Sequence, residues 1–162
     1  MWEMDGRLRT ATVPPVIRWH LLTIGKPRLA YARAGVEEYL GRLGKFTSVR
    51  WLPQKSGDPA RESQCLLEAS KGMLRLVLDE RGTLWSSRDL ARRVSDWELS
   101  GRRDVALLIG GADGHTPELR AAADSLWSLS PLTLQHELAL VVVAEQLYRA
   151  YTLKAGLPYH RD

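Results

Sequence analysis

From residue 17 onward the chain alternates between two hydrophobic rhythms. Residues 17–24 (I-R-W-H-L-L-T-I) read as a strand closed by Gly25. Ala30, Ala34, Val36, Tyr39, Leu40 and Leu43 then recur at helical spacing across 29–43. Residues 49–52 form a short predicted strand, and 59–73 a helix with Cys65, Leu66 and Leu67 on its apolar side. Residues 74–78 (L-R-L-V-L) predict a strand stopped by the turn-like D-E-R-G that follows. Ser86 with Asp89 three residues on has capping-box spacing and opens a helix to about Leu99, ended by Gly101. Residues 105–109 (V-A-L-L-I) are a continuous apolar run of the kind found in a strand covered on both faces. Thr116-Pro117-Glu118 supplies an N-cap, a first-turn proline and an acid at the positive helix end. Residues 127–134 read as a last apolar strand, and 137–154 as a final helix closed by Gly156 and Pro158.

Strands separated by helices predict an α/β domain with a mostly parallel sheet flanked by helices. No repeat or linker divides it, so residues 17–162 read as one domain behind a flexible leader at 1–16. The leader has no apolar run resembling a signal peptide. The stretch 138–144 is too short to span a bilayer. With 162 residues, 44% hydrophobic and 26% charged, the chain can bury an ordinary core. Its net charge of +4 is compatible with a polyanionic partner without requiring one. The single cysteine, Cys65, reads as a buried thiol, and the four scattered histidines lack partner cysteines, so no metal is expected. A reducing cytoplasm fits.

In open α/β sheets ligands bind beyond the carboxyl ends of strands. Three such ends stand out: 78–82 (L-D-E-R-G), 110–114 (G-G-A-D-G) and 129–134 (L-S-P-L-T-L). The glycines of the second let backbone approach a ligand, though the run has no phosphate-loop spacing and reads equally as a tight turn. The third offers an apolar wall with free backbone groups, suited to a flat ligand such as adenine, or else a buried crossover. In the final helix Glu145 and Arg149 are four apart, the spacing of a surface ion pair, or else they edge a site at a subunit contact. The chain finishes G-L-P-Y-H-R-D, an aromatic ring, an imidazole and a guanidinium together, which read either as a latch or as working groups.

The runs L-L-I-G-G-A-D-G, W-S-L-S-P-L-T-L-Q-H-E-L, V-A-E-Q-L-Y-R-A and the terminal P-Y-H-R, with I-G-K after the first strand, resemble the ribosomal large subunit methyltransferase H family. That family lies within the SPOUT superfamily of S-adenosylmethionine-dependent methyltransferases. The resemblance spans about residues 17–161. It implies methylation of N3 of a pseudouridine in large-subunit ribosomal RNA on the assembled ribosome, by a cytoplasmic homodimer whose C-terminal portion is threaded as a trefoil knot. It also implies a cofactor pocket formed by Leu78, Gly110, Leu129, Ser130, Pro131, Leu132, Thr133 and Leu134.

In the same reading His160 acts as base or positioning group. Arg161 offsets charge on the target or holds a phosphate, Tyr159 stacks on RNA, and Glu145 is a second polar candidate. His136 is read as a helix-start residue, and His115 and His20 as structural. Lys26 and Arg28 are within reach of phosphates or form a solvated face. The chain departs from the family's usual pattern at Ala112, where proline is common, and at Leu140, where arginine is common.

Overall fold

The structure, a computed structural model, describes residues 16–159. The expected leader therefore lies, apart from Val16, outside the described residues, as do His160 and Arg161. Ten elements alternate: β1 (Arg18–Ile24), α1 (Ala30–Leu43), β2 (Ser48–Gln54), α2 (Pro59–Ala69), β3 (Leu74–Leu84), α3 (Ser87–Leu99), β4 (Asp104–Ile109), α4 (Pro117–Ala121), β5 (Ser125–Ser128) and α5 (His136–Lys154). The strands form one five-stranded sheet in the order β2-β1-β4-β3-β5, and its pairings are parallel.

Period-two alternation decides which side chains face which layer. In the central strand β4, Val105, Leu107 and Ile109 join a core with Val36 and Leu43 of α1, Leu90 and Val94 of α3, and Leu140, Val143 and Leu147 of α5. Ala106 and Leu108 point the other way, onto Leu66 of α2 and Leu119 of α4. Both faces of β4 are thus covered, which accounts for its unbroken apolar run. Helix α5 packs on both α1 and α3, so much of its circumference is apolar. Its Tyr151 hydroxyl accepts the Trp19 indole N–H at 2.8 Å within this core, and burial pushes that phenol up to about 12.

The local stop and start chemistry follows the sequence. Ser86 and Asp89 form the reciprocal capping box, and Thr116 accepts from the Leu119 N–H at the head of α4. Helix α1 is different: Leu29 stands at its N-cap and has no side chain able to cap. Glu137 substitutes from across the fold, accepting Arg28 N–H at 2.8 Å and Leu29 N–H at 2.9 Å. Those two donors hold its carboxyl below the usual carboxylate range. The loop after β1 is thereby pinned to the first turn of α5.

Three expectations need correction. Strand β3 does not end at Leu78: it leaves register there and regains it at Thr83, both residues standing opposite Trp127. Residues 79–82 bulge out between those points, because Asp79 Oδ1 accepts the Arg81 N–H at 2.9 Å and folds the backbone over. The last strand ends at Ser128 rather than 134, and the apolar residues beyond it form a loop. Cys65 is half-buried rather than buried.

Candidate active site

Because the strands run parallel, the carboxyl ends of β3, β4 and β5 lie along one edge of the sheet. There the three segments picked out in the sequence surround one cleft of about 540 Å³. Its walls are the β3 bulge with Leu78, the glycine loop 110–114 with His115, and the loop after β5 running to His136. The size and mixed lining suit a nucleoside-sized ligand. Of the positions expected to meet a cofactor, Leu78, Gly110, Leu129, Ser130, Leu132, Thr133 and Leu134 line this cleft. Pro131 is exposed and is not among the lining residues.

Each wall has a local cause. The loop after β5 turns tightly because Ser130 Oγ accepts the Leu132 N–H at 2.9 Å, while the Ser130 carbonyl accepts from Ser128 Oγ at 3.2 Å. Leu132 is left 75% exposed at the cleft rim. The glycine loop closes on itself through Gly114 N–H to the Gly111 carbonyl at 3.1 Å, with Gly114 at φ 74°. Gly110 allows close approach: a Cβ there would come within 3.1 Å of the His115 ring. The β3 bulge is braced by Arg120 of α4, whose Nε donates to Asp79 Oδ2 at 2.7 Å. Burial works against the Asp79 carboxylate, but the Arg81 N–H and the Arg120 guanidinium outweigh it and hold the group below its ordinary range. Gly82 lets the bulge rejoin the sheet, since a Cβ there would fall 2.6 Å from the backbone of Leu126 and Trp127.

The remaining candidates lie elsewhere. Glu145 forms the expected helical pair with Arg149, accepting from its Nε at 3.0 Å and Nη2 at 2.8 Å. Tyr159, the last described residue, packs onto this pair, its hydroxyl donating to Glu145 Oε1 at 3.1 Å. The Tyr159 ring meets Tyr148 edge-on at 4.7 Å, and the Arg149 guanidinium lies 5.0 Å from its centroid. Burial, then Tyr39 and Glu145 beside it, push the phenol well above its usual range. None of Glu145, Arg149 and Tyr159 is among the residues lining the cleft. His136 is the first residue of α5 and faces the cleft. His20 is buried against Asp104 at 2.9 Å.

Nothing local in the sequence marks Arg120 or Glu137, and His115 reads there as structural. His115 lines the cleft. Arg120 and Glu137 act through contacts with residues 41 and more than 100 positions away, and no local pattern carries such pairings.

Comparison with known proteins accords with this architecture. Residues 17–160 match the family model described as predicted SPOUT methyltransferase. A protein of Thermus thermophilus named ribosomal RNA large subunit methyltransferase H is 50% identical over 145 residues, covering 90% of this chain and 99% of that protein. A protein of the same name from Deinococcus deserti is 44% identical, covering 90% of this chain and 100% of that one. Among solved structures, a probable methylase family protein from Haemophilus influenzae shares the fold, with a TM-score of 0.58 at 13% identity, over 90% of this chain and 71% of that one.

Proposed function

The chain belongs to the ribosomal RNA large subunit methyltransferase H family of SPOUT methyltransferases, and from that premise we propose that it methylates N3 of a pseudouridine in large-subunit ribosomal RNA on the assembled ribosome. The observation that carries the reading is the convergence of three strand-end segments on one cleft of about 540 Å³ in a chain of this family. Bound in that cleft, S-adenosylmethionine would supply an electrophilic methyl group to the ring nitrogen, its sulfur–methyl bond breaking to leave S-adenosylhomocysteine as the N3 proton is lost. The residues present fit that cofactor. Leu129 and Leu134 offer apolar surface, Gly110 brings its backbone to the cleft wall, and the Asp79–Arg120 pair braces the facing wall.

The protein's part is to orient, exclude water and handle one proton. His160 is the proposed group at the N3 proton, by position or as base, since an imidazole titrates at about 6.5. Arg161 offsets charge developing on the uracil oxygens. Tyr159, held by Tyr148, Glu145 and Arg149, anchors the tail that carries them. That anchor stands apart from the cleft of its own chain, which favours a homodimer in which one subunit's tail serves the other's cleft. We also infer a single catalytic domain over 17–162, a cytoplasmic location alongside the ribosome, and a knotted C-terminal portion. For the knot, the support is that the chain crosses from the edge strand β5 back to α5, docked on the loop after β1.

The test compares wild type with His160→Ala. The variant is expected to bind S-adenosylmethionine as wild type does, yet to methylate ribosomes slower by about 10²-fold or more. Equal rates would remove His160 from the mechanism.

A further inference from the structure

Between Leu78 and Gly110 stands a side chain to which the proposed chemistry gives no task. His115 is 6% exposed, and its Nε2 lies 3.1 Å from the Leu78 carbonyl. That oxygen can only accept, so Nε2 carries the proton and Nδ1 is left as the acceptor. Nδ1 is buried and has no hydrogen-bond partner among the described residues. It packs on the glycine loop, where a Cβ built on Gly110 would come within 3.2 Å of Nδ1 and 3.1 Å of Cε1. A leucine would fill this space without burying an unpaired Nδ1, which costs about 1–3 kcal/mol, but it could not donate to the Leu78 carbonyl. The imidazole is therefore a poor choice for filling alone, and its one hydrogen bond points to what it does instead.

We propose that His115 is a positioning residue for the cofactor site: its ring ties β3 at Leu78, where the bulge begins, to the glycine loop at Gly110 and so sets the width of the cleft between them. The inference rests on reading the cleft as the S-adenosylmethionine site. The charged groups around the ring are Asp79 in the β3 bulge and Arg120 of α4, while Glu62 of α2 packs on the far side of the loop against Gly111. Burial, only partly offset by Asp79 and the Leu78 carbonyl, pushes the imidazole below its usual range, so the ring is neutral at neutral pH. Protonation would put an N–H on Nδ1, facing Gly110 with no acceptor, and would dislodge the ring from the loop.

The experiment is calorimetric titration of S-adenosylmethionine into the full chain, as wild type, His115→Leu and His115→Gln. Titrations run at about pH 7.5, and thermal unfolding checks the fold of each variant. His115→Leu should bind roughly tenfold more weakly, the worth of one well-made hydrogen bond, without a lower melting temperature. His115→Gln, which keeps an N–H donor, should recover most of the affinity. A folded His115→Leu that binds as tightly as wild type overturns the proposal alone. If that variant does not fold, a folded His115→Gln that binds roughly tenfold or more weakly than wild type, despite keeping the donor, overturns it. Failure of wild type to bind S-adenosylmethionine overturns the reading of the cleft, and this inference with it.

Discussion

Replacing Gly82 by alanine tests whether the β3 bulge is what builds the cleft. The new Cβ would lie 2.6 Å from Leu126 C and Trp127 N and 2.7 Å from Leu126 O. These are backbone atoms of the neighbouring strand, so no side chain can swing away to relieve the contact. Ordinary carbon contacts need about 3.5 Å, so β3 and β5 must part by about 1 Å. A separation of that size stretches the ladder hydrogen bonds beyond their useful range. Overpacking costs about 1–3 kcal/mol and each ladder bond lost about 1 kcal/mol, giving roughly 2–4 kcal/mol in all. For a domain of this length that lowers the melting temperature by roughly 5–15 °C. The bulge also carries Asp79 and Arg81 at the cleft wall, so affinity for S-adenosylmethionine should fall with stability. Calorimetric melting and ligand titration measure both. A Gly82→Ala protein that melts within a degree of wild type and binds the cofactor equally would refute the argument.

Arg120→Ala leaves the buried Asp79 carboxylate without its cation and should destabilise the fold by about 3 kcal/mol in urea unfolding. Adding Asp79→Asn should recover part of that loss, and strictly additive effects would show that the pair is not coupled. The Glu137 and Asp79 carboxyls titrate below their ordinary values, so their stabilisation is complete above the unfolded carboxylate range of about pH 4 and is lost as the pH falls through the lower folded values. Unfolding free energy should accordingly drop on acidification, and Glu137→Gln should flatten that limb if its contacts to Arg28 and Leu29 matter. Tyr159→Ala should leave cofactor affinity unchanged and slow methyl transfer roughly tenfold or more by releasing the tail, whereas Tyr159→Phe, which keeps the ring contacts, should be milder. Equal rates for wild type and Tyr159→Ala would show that anchoring is unimportant.

Where the determinants of structure were local, they could be read in the chain. The strand at the centre of the sheet declares itself by an apolar run across 105–109, and the capping box of Ser86 and Asp89 by its spacing. The Glu145–Arg149 pair follows from a separation of four. The three cleft segments were visible because parallel strands put their carboxyl ends on one edge. Residues 127–134 misled because an apolar run looks the same whether it lies in a sheet or lines a cleft. The resumption of β3 at Thr83 depends on Trp127 across the sheet, and the cap on α1 comes from Glu137. His115 could not be assessed from sequence because its burial is made by three separate elements.

Methyl transfer from labelled S-adenosylmethionine to ribosomes lacking the modification tests the central claim most directly, with the modified nucleotide located by mass spectrometry. The expected product is a single N3-methylated pseudouridine in large-subunit ribosomal RNA. Tight cofactor binding with no label in that RNA, or label confined to transfer RNA, would contradict it.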